Sequence, residues 1–239
     1  MYRERGEERI RGAVRWVSVS GGAGVTRVLP DGCMDLLWSS RAGLLVAGPD
    51  RTAHVSRSVP GERWIGLRLP PGMGPAVFGV PGDELRDRRV PLADLWGRPA
   101  GELAERVGAA TEGSGWTRAG ALVLAEATRA RLRAAGGPDP LGARVAARLA
   151  AGATVAATAA EVGLGARALH RRSLALFGYG PKTLARILRM RRALDLAHAG
   201  APLAEVAART GYADQAHLTR DVREFAGMPP TRLLAEAGG

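Results

Sequence analysis

Arg167, His170 and Arg171 are grouped on a stretch with helical periodicity, and Gln215, His217, Thr219 and Arg220 form a second polar run nearer the carboxy terminus. Long or polar side chains clustered near a helix start can reach base edges in a DNA groove. Arginine can place two donors on guanine O6 and N7, and a good bidentate pair contributes about 1–3 kcal/mol of discrimination. Gln215 has two readings, a bidentate bond to adenine or a brace for the helix start. Thr219 suits a phosphate better than a base. Arg172 is read as facing protein or solvent, and His198 as a surface residue.

A second chemistry is thinkable at Cys33, the only cysteine, which stands between Asp31 and Asp35. Two carboxylates beside a thiol raise its pKa, which disfavours a reactive thiolate. A structural cysteine is one reading, and the nucleophile of a DNA-acting enzyme is the competing one. His54, His170, His198 and His217 are too scattered to suggest a metal site. No catalytic set, metal or cofactor is expected.

The chain has 239 residues and a formal net charge of +11, with Lys182 the only lysine. Such a balance points to a polyanion partner, or to a solvated basic surface produced by coding bias. Distribution decides. Between Glu161 and Asp195 there is no acidic residue, yet that interval holds Arg167, Arg171, Arg172, Lys182, Arg186, Arg189, Arg191 and Arg192. A single-sign field confined to one segment marks a binding footprint. Residues 1–10 are charged, without a secretory pattern, and no apolar run is long enough for a bilayer, so a soluble cytoplasmic protein with no membrane partner is expected.

The elements that must carry these side chains can be traced locally. Leu203, Val206 and Ala207 make one apolar helical face. Gly211 allows a sharp corner, and Asp214 suits the N-cap of a second helix bearing Leu218, Val222 and Phe225. Pro229-Pro230 is expected to end the unit. Two short helices with a glycine turn make a helix-turn-helix. The run Ala207-Ala208-Arg209-Thr210-Gly211-Tyr212-Ala213-Asp214-Gln215, then His217-Leu218-Thr219-Arg220 and Gly227-Met228-Pro229-Pro230, resembles the signature of the AraC/XylS family of bacterial transcription regulators. The resemblance implies double-stranded DNA and RNA polymerase as partners, and transcription activation or repression as the outcome. Ser173 departs from it, since a large apolar residue usually follows the two basic ones.

The unit has an upstream partner. Residues 155–164 match the pattern of 203–212, with Gly163 opposite Gly211, Leu169-His170-Arg171 opposite Leu218-Thr219-Arg220, and Gly178-Tyr179-Gly180-Pro181 opposite Gly227-Met228-Pro229-Pro230. Duplication implies two similar readers on one chain. A helix over 182–199 would join them and run roughly 27 Å, a length suited to successive major grooves about 34 Å apart. Its outward side carries Arg186, Arg189 and Arg192, which are read as phosphate contacts or as solvated charge.

The first hundred residues differ in kind. Short apolar runs at 13–19, 25–29, 33–38, 44–47 and 64–69 alternate with Pro/Gly/Asp turns, which reads as a compact β-rich unit. The runs Leu29-Pro30-Asp31-Gly32-Cys33-Met34-Asp35-Leu36-Leu37-Trp38 and Val90-Pro91-Leu92-Ala93-Asp94-Leu95-Trp96-Gly97 resemble an uncharacterised amino-terminal domain often fused to AraC-type DNA-binding regions. Position in that architecture implies a sensor or assembly role. Trp38, Trp64 and Arg68 could line a small effector pocket, or the tryptophans could be core.

The predicted class is therefore α+β, with a β-rich sensor-like domain at 1–100, connecting helices at 101–137 and an all-α double helix-turn-helix domain at 138–239. The connecting helices are a candidate homodimer contact or an internal packing element. The expected function is sequence-specific DNA binding modulated by a small-molecule effector. The alternatives are the Cys33 enzyme and an effector-independent DNA-binding protein.

Overall fold

The computed structural model describes residues 2–113 and 115–237; Met1, Ser114, Gly238 and Gly239 lie outside them. Strict alternation sorts the β-rich half into two faces. Strand β4 (Met34–Ser39) turns Met34, Leu36 and Trp38 to the core, and β7 (Arg63–Leu69) sends Ile65, Leu67 and Leu69 the same way. Asp35, Leu37, Trp64 and Arg68 face the other side. With β1 (Tyr2–Gly6), β2 (Val14–Val19), β5 (Gly43–Ala47) and β8 (Arg89–Pro91), these strands form an antiparallel sheet in the order β1-β2-β7-β4-β5-β8. Among the described residues β3 (Gly24–Val28) and β6 (His54–Ser58) pair only with each other, as a separate two-stranded ribbon.

Strands β1, β6 and β8 escape the sequence reading for a common reason: their residues show no apolar alternation. β1 is exposed along its length at the sheet edge, and β6 carries polar side chains on both faces. Helices α1 (Gly74–Phe78), α2 (Gly82–Leu85) and α3 (Leu92–Trp96) close the domain. The first was hidden by Pro75, which stands in the opening turn, where no N–H is required.

Helices α4 (Arg98–Ala110) and α5 (Trp116–Ala134) pack on each other, α4 also on β5 and α5 on β7. Leu103, Val107, Ala121, Leu124 and Ala125 join the sheet in one apolar core. The buried face of each helix therefore serves packing within the chain.

A second core, from Val145 to Leu233, belongs to the helical half. It is built from α6 (Pro140–Ala150), α7 (Val155–Glu161), α8 (Ala166–Phe177), α9 (Pro181–His198), α10 (Leu203–Thr210), α11 (Gln215–Ala226) and α12 (Pro230–Ala237). Thr154 and Asp214 cap α7 and α11 by accepting from the backbone N–H of Ala157 and His217; such caps contribute about 1 kcal/mol each. α11 ends before Pro229-Pro230, as expected of the unit, and Pro230 opens a further helix, α12, whose Leu233 seals the core. Leu29, just beyond β3, packs against this second core rather than its own.

Candidate nucleic-acid interface

In the first reader, α8 buries Leu169, Ser173, Leu176 and Phe177. Arg167, His170 and Arg171 fall on the exposed face, with the His170 ring lying against Gly180. In the second, α11 buries Leu218, Asp221, Val222, Phe225 and Ala226 and exposes Gln215, Ala216, Arg220 and Arg223, with Thr219 half-buried beside them. Arg223 is absent from the sequence-derived set because that reading favoured the helix start. Its spacing, three residues after Arg220 and four after Thr219, was the available signal.

His217 stands apart from this group. Its ring meets Tyr212 edge-on, with centroids 5.1 Å apart, and it lines a cleft with Asp221, on the side of α11 that faces α9. Its backbone N–H is spent on the Asp214 cap at 2.6 Å.

Arg186 and Arg189 do not project toward solvent as expected. Arg186 bonds Asp221 Oδ1 at 2.7 Å and Glu224 Oε1 at 3.0 Å, and Arg189 reaches Asp221 Oδ2 at 2.9 Å. The Arg189 guanidinium also covers the Tyr212 ring at 4.0 Å and Arg186 the Phe225 ring at 4.8 Å. The reason is matched periodicity: two arginines three apart on α9 meet two acids three apart on α11. Burial works to raise the Asp221 carboxyl, but hydrogen bonds from Arg186 and Arg189 outweigh it and hold Asp221 below its ordinary value. These guanidiniums fasten α11 to the connector. Lys182 and Arg192 line the same cleft, of about 580 Å³. Neither has an ion-pair partner among the described residues.

Ser173, which departs from the family pattern, is buried, and its hydroxyl has no hydrogen-bond partner among the described residues. The equivalent residue of the second unit is the fully buried Val222. Arg172 pairs with the N-cap carboxylate Asp139, tying α8 to the start of α6.

A cavity of about 460 Å³ lies between the outer face of the sheet and the ribbon. Trp64 and Arg68 line it, as expected. Trp38 does not, because its strand parity turns it into the core. Trp16, which the sequence reading overlooked, supplies the second aromatic wall. Its indole N–H donates to Asp35 Oδ1 at 2.8 Å. The ring lies flat over Gly66, where a Cβ would fall 2.1 Å from a ring carbon. Gly66→Ala must therefore tilt Trp16 off the sheet and break its bond to Asp35. Overpacking of this kind costs about 1–3 kcal/mol, and a lowered thermal midpoint with red-shifted tryptophan emission is the expected reading.

Charge in the cavity is mixed. Arg68 faces Asp31 and Asp35, Arg89 holds Asp50 at 2.6 Å, and Arg57 and Arg191 have no ion-pair partner among the described residues. Arg191 comes from the connector α9, so the cavity is walled by both halves of the chain. Cys33 also faces it. Burial, then Asp31 and Asp35, push its thiol well above the usual range, and its N–H is bonded to Asp31 Oδ1. Among the described residues no cluster of His, Cys, Asp or Glu could hold a metal ion, and no helix is long and apolar enough to cross a membrane.

Residues 158–236 match a family model described as a helix-turn-helix domain, and residues 13–91 one described as a domain of unknown function (DUF6597). No curated protein matches the sequence. Among solved structures the chain is similar to ToxT from Vibrio cholerae O395, at 9% identity and a TM-score of 0.52, covering 100% of this chain and 98% of that one. ToxT bound to (E)-4-(8-methylnaphthalen-1-yl)but-3-enoic acid matches at 8% identity and a TM-score of 0.51, covering 98% of each chain. A regulator assigned to the AraC family from Rhodopseudomonas palustris CGA009 matches at 24% identity over 41% of this chain and 98% of that one, with a TM-score of 0.37. The likeness to ToxT spans both halves and is one of fold: a β-rich region followed by a helical helix-turn-helix domain.

Proposed function

We propose, from the premise that this chain carries an AraC-type helix-turn-helix DNA-binding domain behind a domain of unknown function, that it reads double-stranded DNA with both units and answers to a small-molecule effector. The observation that carries the reading is the pair of equivalent helices, α8 and α11, presenting Arg167 and Arg171 on one and Arg220 and Arg223 on the other. His170, Gln215 and Thr219 flank them, while Lys182 and Arg192 supply phosphate contacts. Residues 138–239 form the DNA-binding domain, 1–100 the sensor, and 101–137 the connection between them. By family resemblance RNA polymerase is a further partner, and a homodimer would place two such domains on one operator. The raised pKa of the half-buried Cys33 thiol, flanked by Asp31 and Asp35, favours this reading over a DNA-acting enzyme.

Footprinting on the protein's own upstream region, with random DNA as competitor, tests the assignment. The expected result is a protected site spanning two adjacent major-groove segments that survives excess random duplex. Uniform protection that random DNA abolishes points instead to an effector-independent architectural protein.

For the effector, the cavity favours a planar apolar body with an anionic head. Two indoles offer flat walls, and Arg57 and Arg191 are free to receive an anion. ToxT, of the same fold, binds a naphthalenyl butenoic acid. Burial raises the Asp35 carboxyl to about 6, against the pull of Arg68. Its folded pKa thus lies above the ordinary value near 3.9, so this group favours the fold at low pH and subtracts stability as pH rises through the interval from about 4 to about 6. Below about pH 6 a neutral Asp35 leaves Arg68 with Asp31 alone and removes one negative charge facing an incoming anion. Binding of 1-naphthylacetate, followed by tryptophan quenching, is expected to tighten as pH falls through 6, and Asp35→Asn to remove that step.

A further inference from the structure

The two recognition helices end alike. α8 closes on Gly178 and α11 on Gly227, both in the left-handed conformation, and each glycine N–H bonds back four residues, to Leu174 and Arg223. The amino-terminal half grips each of these ends with an arginine. Arg86, at the end of α2, donates from Nη1 to the Gly178 carbonyl at 2.9 Å, and Arg27, on the ribbon, donates from Nη1 to the Ala226 carbonyl at 2.9 Å. The second grip is doubled by Ala53, just before β6, whose N–H donates to the Phe225 carbonyl at 2.6 Å. Hydrogen bonds from a charged donor are the stronger kind, and carbonyls at a helix end are the acceptors left without an intrahelical partner.

The two grips differ in what stands behind them. Arg86 sits on α2, which packs directly on α8. At Gly82 a Cβ would fall 2.7 Å from the Gly178 nitrogen, so the two backbones are in contact. Arg27 sits on the ribbon, which among the described residues is hydrogen-bonded to no other strand. Val25, Val28 and Val55 on it are exposed rather than packed. An isolated two-stranded ribbon is marginal by itself. This same ribbon is the cavity wall opposite the sheet.

We propose that the sensor domain is a two-point clamp on the readers, with a fixed jaw (Arg86 on α8) and a movable jaw (the ribbon, through Arg27 and Ala53, on α11). What fills the cavity then displaces the ribbon and with it the second reader, so the spacing of the readers is set by occupancy. This inference rests on the effector-modulated reading above, but its test needs neither an effector nor DNA.

Hydrogen exchange of the full chain is measured for wild type, Arg27→Met, Arg86→Met and Ser56→Trp. Ser56 faces the cavity from the ribbon, so the tryptophan stands in for a ligand. Arg27→Met is expected to speed exchange at residues 223–229 at least about tenfold while 174–180 stay at the wild-type rate, and Arg86→Met to do the converse. Ser56→Trp is expected to reproduce the Arg27→Met pattern. Equal acceleration at both helix ends in each variant would show general loosening and overturn the clamp. A response to Ser56→Trp confined to the ribbon would overturn the movable jaw. Because the readout is exchange, a failed footprint would sink the regulator reading without touching this result.

Discussion

Arg171→Ala and Arg220→Ala each weaken binding to the specific site by about 1–3 kcal/mol, roughly five- to 150-fold, while affinity for random duplex changes little. Both side chains occupy the exposed face of their helices at equivalent places in the repeat. Neither is held by a carboxylate among the described residues, so their donors are available to a base. The losses in the double variant should add, because the two sites share no partner. Lys182→Ala makes the control: a phosphate contact lowers specific and random affinity together and reduces the salt slope by about one. Titration of a labelled operator and a scrambled duplex at two salt concentrations checks all four proteins. Equal losses on both duplexes would assign Arg171 and Arg220 to the backbone and move sequence reading elsewhere on the two helices.

Asp221→Ala carries the second large effect. It leaves the Arg186 and Arg189 guanidiniums side by side without their shared carboxylate, beneath a side chain that is 5% exposed. Breaking a buried pair costs about 3–5 kcal/mol. The arginine side chains keep 29% and 23% of their exposure, which lowers the expectation to about 2–4 kcal/mol. Chemical denaturation at pH 7 measures it, and Asp221→Asn separates charge from shape. The pH dependence has a definite sign. The folded pKa of Asp221 is depressed, so its contribution is complete above the ordinary value near 3.9 and fades as pH falls through the lower folded value. Wild type and Asp221→Asn should therefore converge in stability as pH falls below the ordinary carboxylate range. A further consequence lies in DNA binding: the second reader loses its seat on α9, so protection shrinks to the segment held by the first. Full two-segment protection in a variant that is destabilised to this extent would show that Arg186 and Arg189 do not position α11.

Residue order alone determined a good deal about this protein. The apolar periodicity of residues 140–226, the Asp214 cap and the glycine corners specify helices because those signals act over a few residues, and the helices lie where those signals place them. The same holds for β2, β4, β5 and β7, whose side chains alternate between a core and an open face. Only the tertiary structure could decide matters that depend on which surfaces meet. Arg186 and Arg189 look like solvated cations until Asp221 and Glu224 arrive from a helix far along the chain. Trp38 and Trp64 look alike until the register of β4 with β7 sends one into the core and the other into the cavity. The ribbon, whose β3 shows a short apolar run but whose β6 does not, has no core of its own and acquires a place only by closing that cavity and bonding the end of α11. Local propensity is written in neighbouring residues, whereas long-range ion pairs and cavity walls exist only once distant segments are packed, and that is the physical line between what could be read and what had to be seen.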